Sequence, residues 1–158
     1  MSKELEIERK FLLKRTPEGM FFDMRSDITQ FYLPQDGDGY TVRIREAEQH
    51  GTRKYWLTKK KYISPTVNEE IEKQIDGAEF HYLKGKALTV LSKERYVHTL
   101  NGLSWEIDVF KGMSLIIAEI ELPSEDYKLE IPDVITDVLI KEVSGIKEFY
   151  NQQLSEEV

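Results

Sequence analysis

The chain contains no cysteine. That excludes a disulfide framework, cysteine-ligated zinc, a thiol nucleophile and an iron–sulfur cluster. Long hydrophobic runs are absent as well, and nothing approaches the roughly 20 apolar residues needed to span a bilayer. The opening MSKELEIERKF alternates charge with hydrophobe and lacks the apolar centre of a signal peptide. No low-complexity tract or solenoid-length repeat occurs. Only three histidines are present, His50, His81 and His98, and they fall in a turn, a helix and the outward phase of a strand, so no histidine-centred catalytic group is expected. Excess positive charge is missing too: 22 Lys and Arg face 29 Asp and Glu, a net charge of −7. This argues against a general nucleic-acid binder, which presents a basic face.

What is there fits one domain over residues 1–158. At 158 residues, 40% hydrophobic and 32% charged, the chain can bury a substantial core and is neither disordered nor membranous in composition. A cytoplasmic protein without membrane or nucleic-acid partners is expected. The dominant period is two, which predicts strands near 4–12, 28–34, 40–46, 53–61, 68–75, 89–98, 104–110 and 115–122. Turn signals separate several of them, including His50-Gly51 and Asn101-Gly102. Asp76 predicts a helix cap with a helix to about Leu88, Ser124 gives a second cap signal, and residues 133–143 and 146–154 read as helical or turn-like. The fold class is therefore α+β, built around one antiparallel sheet.

The phase of the charges carries the functional information. Alternation puts Glu6, Glu8 and Lys10 on one face of the first strand, and Arg43 with Arg45 on one face of the third. The same holds for Glu70 with Glu72, Lys93 with Arg95, Glu106 with Asp108, and Glu119 with Glu121. A wet sheet face normally mixes uncharged polar residues with lysine, whereas like-charged doublets repel along a strand and make sense only opposite the other sign. Eight carboxylates against those five cations and one lysine of strand four sum to −2. If the sheet closes into an eight-stranded antiparallel β-barrel, this face becomes an ionic interior with room for one small ligand. Such an interior is costly unless ions or ligand complete it. Arginine and lysine suit phosphate oxygens, and carboxylates suit Mg²⁺ or Mn²⁺. The apolar strand faces would then point outward, beneath the few flanking helices or a second subunit.

The ordered motifs Glu6-Ile7-Glu8-Arg9-Lys10, Arg43-Ile44-Arg45, Thr58-Lys59-Lys60, Glu70-Ile71-Glu72, Lys93-Glu94-Arg95-Tyr96, Glu106-Ile107-Asp108 and Glu119-Ile120-Glu121 resemble the CYTH superfamily, or triphosphate tunnel metalloenzymes, in its short bacterial form. The resemblance implies a tunnel binding a small-molecule triphosphate, one or two Mg²⁺ or Mn²⁺ ions, and a homodimer. By the same resemblance Lys10, Arg43, Arg45, Lys60, Lys93 and Arg95 would grip phosphate. Glu6, Glu8, Asp108, Glu119 and Glu121 would serve the metal, Glu70, Glu72 and Glu106 would support the acidic side, and Glu119, Glu121, Lys93 and Lys10 would carry catalysis. The reaction would be in-line attack of a metal-positioned water on the terminal phosphorus.

Three features depart from the pattern or leave it open. Asn68 stands where several relatives have a basic residue. The basic–tyrosine pair of the C-terminal helix aligns with Glu148 and Phe149, with Lys147 and Tyr150 adjacent. Among the three consecutive lysines, Thr-x-Lys spacing favours Lys60, while a one-residue slip would turn Lys59 and Lys61 inward. The leading reading is a tripolyphosphatase. A class IV adenylate cyclase, a thiamine triphosphatase and a non-catalytic polyphosphate- or nucleotide-binding module are the alternatives.

Overall fold

The computed structural model describes residues 3–157. The strands are β1 (Lys3–Leu13), β2 (Met24–Leu33), β3 (Thr41–Gln49), β4 (Thr52–Ser64), β5 (Val67–Ile75), β6 (Thr89–Leu100), β7 (Leu103–Phe110), β8 (Ile116–Glu121) and β9 (Leu139–Glu142). The helices are α1 (Gly77–Lys84), α2 (Asp133–Thr136) and α3 (Asn151–Ser155), with a 3-10 turn at Lys147–Phe149. Sheet order is β5-β4-β3-β2-β6-β7-β8-β1-β9, and antiparallel pairing of β5 with Lys3–Ile7 of β1 closes it into an eight-stranded barrel. The β3–β4 and β6–β7 hairpins turn on His50-Gly51 and Asn101-Gly102, whose four φ values are all positive, as a type I′ turn demands.

Four sequence expectations change. Strand β2 starts at Met24 rather than Ile28, because Met24–Asp27 pair with Glu94–Val97 of β6. Of the segment 133–143, expected to be helical or turn-like, only one turn is helical, α2, and Leu139–Glu142 is instead a ninth strand beside Phe11–Leu13. The cause is positional: β5 covers only the first half of β1, so the same edge further along has free backbone groups to pair. The Ser124 cap signal closes a turn through Tyr127 N–H to Ser124 O and starts no helix. The Asp76 cap does form, its side chain accepting from the Glu79 N–H at 2.8 Å, and the helix ends at Lys84.

The apolar faces point outward and are covered over most of their area, with Leu5 and Val90 left exposed. Phe11, Trp105, Ile107, Ala118 and Ile120 on β1, β7 and β8 pack beneath Ile135 and Val138. Val42, Ile44 and Ile75 pack beneath Phe80 of α1, which is fully buried. Burying one such phenylalanine contributes on the order of 2 kcal/mol. A third cluster lies in the inward phase: Leu91, Phe110 and Ile117 meet Leu154 of α3. The barrel interior is therefore ionic along most of its length and apolar where α3 seals it. No described helix is long and apolar enough to cross a membrane.

Candidate functional site: an ionic tunnel

Strand alternation delivers the predicted charges to one interior, where they divide into two differently satisfied groups. On β6 and β7, Lys93 and Asp108 are both fully buried and 2.7 Å apart. Arg95 lies against the same carboxylate in a bidentate pair, Nε to Oδ1 at 2.8 Å and Nη2 to Oδ2 at 2.9 Å, and its Nη1 reaches Glu106 at 3.0 Å. Burial opposes ionisation of Asp108, but Arg95 and Lys93 outweigh it and hold the carboxyl well below its ordinary range. Burial pulls Lys93 down to about 8. Both oxygens of Asp108 are thus occupied by cations. The sequence expectation that Asp108 ligates a metal meets a residue whose lone pairs already serve Lys93 and Arg95.

Around β1 and β8 the pairing is poorer. Lys10 lies 3.7 Å from Glu8 and 3.5 Å from Glu119, both longer than a good charge-assisted contact. Glu119 Oε1 is buried and has no hydrogen-bond partner. Burial, then the neighbouring Glu119, pushes Glu8 up to about 7. Glu6 is better placed, 2.9 Å from Lys60, which with Arg43 overcomes its burial and keeps it low. Lys60 also lies 3.6 Å from Glu70, whose carboxyl is raised to about 7 by burial and by Glu6. Burial, Glu6 and Glu106 raise Glu121.

Arg43 and Arg45 supply a bare donor surface. Arg43 donates to Thr58 at 3.4 Å, and Thr58 donates to Glu72 at 2.8 Å. Arg45 donates to Gln30 at 3.1 Å. The Nε of each arginine is buried without a partner. Burial, Arg43 and Arg95 lower Arg45 to about 9. Buried charges left this incompletely paired are expensive, and orphaned donors beside an orphaned carboxylate oxygen indicate room for an anion and a cation together. The residues fit a divalent ion by donor chemistry, since Glu8 and Glu119 offer hard oxygens with unmet demand. Among the described residues no group of three or more carboxylates or histidines converges to encage an ion alone. Substrate oxygens and water would have to complete the shell.

All fourteen charged residues predicted for the interior lie on tunnel-phase strand positions, with Glu72 and Glu121 exposed at the rim. The lysine register is settled. Lys60 points inward, Lys59 pairs with Asp36 at 2.7 Å, and Lys61 donates to the Asp38 carbonyl. Asn68 also faces the tunnel, donating to Glu6 at 3.4 Å. At the C-terminus the aligned pair shifts by one: Phe149 packs toward the apolar cluster, while Tyr150 lines the cavity, its ring 5.8 Å from the Lys10 ammonium.

Several site residues escape sequence reasoning. Gln30, fully buried, joins Arg45 to the Tyr32 hydroxyl, and Asn151 accepts from Lys93 at 3.3 Å. Gln30 had a usable signal, an amide in the inward phase of β2. Asn151 had none, because only the return of the C-terminal segment brings it there.

The fold is thus a closed barrel around an interior of interleaved cations and carboxylates, some tightly paired and some not. The chain matches the CYTH domain over residues 4–150 and belongs to that family. It is 32% identical to an inorganic triphosphatase of Acetivibrio thermocellus over 160 residues, spanning 94% of this chain and 92% of the relative. A crystal structure of another inorganic triphosphatase is similar at 31% identity and a TM-score of 0.62, covering 97% of this chain and 99% of that one. A protein from Pyrococcus horikoshii OT3 shares the fold at 22% identity and a TM-score of 0.63, over 77% and 80% of the two chains.

Proposed function

We propose that this chain is a metal-dependent inorganic triphosphatase that hydrolyses tripolyphosphate. The observation that carries the reading is the unmet pairing of Arg43, Arg45, Glu8 and Glu119 inside one tunnel, supported by relatives named as inorganic triphosphatases. Lys10, Arg43, Arg45, Lys60, Lys93 and Arg95 would bind the phosphate oxygens, and bidentate contact from the arginines would fix their orientation. Glu6, Glu8, Glu119 and Glu121 would hold one or two Mg²⁺ or Mn²⁺ ions. Asp108, with both oxygens engaged, would instead fix Lys93 and Arg95 in place.

When bound, the ion supplies positive charge beside the phosphates and makes water a better nucleophile at neutral pH. The chain's own residues do the rest. The basic wall aligns the triphosphate, and Lys93 and Lys10 stabilise charge that develops as the bridging P–O bond breaks. Water oxygen bonds to the terminal phosphorus, and orthophosphate and pyrophosphate leave. Glu70 and Glu106 would orient Lys60 and Arg95, and Glu72 would anchor Thr58 beside Arg43. The same reading places the protein in the cytoplasm without nucleic-acid or membrane partners, consistent with its −7 charge. It also includes a homodimer, supported by exposed apolar side chains such as Phe21, Tyr82 and Leu88.

The test is phosphate release from tripolyphosphate, ATP and thiamine triphosphate, each with Mg²⁺, Mn²⁺ or EDTA. Fast, EDTA-sensitive release from tripolyphosphate is the expected result. Cyclic AMP from ATP would replace this reading with a cyclase, and no product from any substrate would replace it with a binding module.

A further inference from the structure

Strand β2 lies between β3, which carries Arg43 and Arg45, and β6, which carries Lys93 and Arg95. Its own inward side chains Ser26, Ile28, Gln30 and Tyr32 are buried and uncharged. A carboxylate on this strand would neutralise the cations beside it, and a further cation would repel them. Gln30 is the member of this neutral row that stands directly opposite Arg45. It is fully buried and lines neither cavity of the tunnel. Any effect it has on a bound substrate must therefore pass through a neighbour.

That neighbour is Arg45. The Gln30 amide oxygen accepts from Arg45 Nη2 at 3.1 Å, and the amide nitrogen donates to the Tyr32 hydroxyl at 2.9 Å. The second bond fixes the sense of the first, because a flipped amide would set its NH2 against the guanidinium. Among the described residues Arg45 makes no ion pair and no other side-chain hydrogen bond, and its Nε is buried without a partner. Its other cross-strand neighbour, Trp56 on β4, is uncharged as well. Arg95 lines the same cavity but is held differently. Its partner across β7 is Asp108, which takes it in a bidentate pair. One arginine is fixed by a counter-ion, the other by a neutral dipole that directs it and leaves its charge.

We infer that Gln30 is a positioning residue for the substrate: it anchors the Arg45 guanidinium in the tunnel wall while leaving its positive charge available to phosphate oxygens. This rests on the triphosphatase reading and deepens it with a residue that acts without touching substrate. An apolar side chain in its place would free a long arginine, whose ordering would then oppose binding. A glutamate of the same shape would pair with Arg45 as Asp108 pairs with Arg95, and phosphate would have to compete with it.

The test is a double-mutant cycle on tripolyphosphate hydrolysis with Mg²⁺, using Gln30→Leu, Arg45→Met and the two combined, with melting curves to confirm folding. Gln30→Leu should raise KM about tenfold, the scale of one hydrogen bond to a charged group, with kcat changed by less than about twofold. Where Arg45→Met is already present, the same change should move KM by less than about twofold. Gln30→Glu should raise KM at least as much as Gln30→Leu, while the metal-free melting temperature stays equal or rises. Equal factors in both backgrounds overturn the inference, as does an unchanged KM in a folded Gln30 variant or a loss confined to kcat. Failure of both Gln30 variants to fold overturns it too, since the amide would then serve the fold alone. If the wild type cleaves no triphosphate, the hydrolytic reading fails by itself. The same cycle is then read by calorimetric binding of tripolyphosphate in EDTA. An affinity loss that depends on Arg45 supports the inference there, and equal affinities or no wild-type binding overturn it.

Discussion

The Lys93–Arg95–Asp108 group and the Glu8–Lys10–Glu119 group sit in the same barrel and contain similar residues, yet they are satisfied very differently. In the first, one carboxylate meets two cations at 2.7 to 2.9 Å. In the second, one ammonium is shared between two carboxylates at 3.5 and 3.7 Å, and the Glu119 oxygen it approaches accepts no hydrogen bond. The difference teaches that like-charged doublets can serve two ends. One set is locked by its own counter-charges, with Lys93 fully buried and Arg95 reaching the cavity. The other is left with long contacts, and burial and Glu119 raise Glu8.

The sharpest way to break this comparison is to neutralise one carboxylate from each group. Glu119→Gln should lower kcat/KM for tripolyphosphate by about a hundredfold or more while leaving the metal-free melting temperature unchanged or higher, because it removes repulsion with Glu8. Steady-state kinetics and calorimetry check both halves, and a large melting loss would contradict the assignment. Asp108→Asn should instead destabilise the fold by about 3 to 5 kcal/mol, read by chemical denaturation, because Lys93 and Arg95 lose their shared counter-ion in a dry site.

Acidity sharpens the same contrast. Glu8 and Glu70 have folded pKa values raised to about 7, above the ordinary carboxylate value. Between that value and pH 7 the folded state binds more protons than the unfolded one, so stability falls as pH rises through this window. Metal-free protein should therefore lose on the order of 5 °C in melting temperature between pH 5 and 8, and millimolar Mg²⁺ at pH 8 should restore it. Asp108 works in the opposite direction, contributing stability at neutral pH that is lost only under strong acid. A smaller effect is expected outside the charge network. Gly145→Ala should cost about 1 to 3 kcal/mol, since alanine at φ +71° is strained and its methyl group meets Pro65. Thermal denaturation would measure that loss.

Much of this was legible beforehand because a strand has a period of two. Glu6, Glu8 and Lys10 had to share a face, as did Arg43 with Arg45 and Glu119 with Glu121, whatever the global topology. Consecutive lysines defeat that reasoning, since every phase is equally charged. Lys60 is distinguished only by its cross-strand neighbours, Thr41 on β3 and Glu70 on β5. The 139–142 segment misled for a related reason: its residues tolerate helix or strand, and the unpaired edge of β1 decides between them. Phe149 and Tyr150 are likewise interchangeable in composition, and the 3-10 turn over Lys147–Phe149 sends one to the apolar seal and the other to the lumen.

The sequence by itself determined the antiparallel strands, the ionic face and the inventory of cations and carboxylates, because alternation is local and needs no partner. Only the tertiary structure decided which charges neutralise one another. Coulomb energy depends on distances across strands far apart in sequence. Asp108 was therefore bound to Lys93 and Arg95 at short range, while Glu119 was left with long contacts and an oxygen that accepts no hydrogen bond.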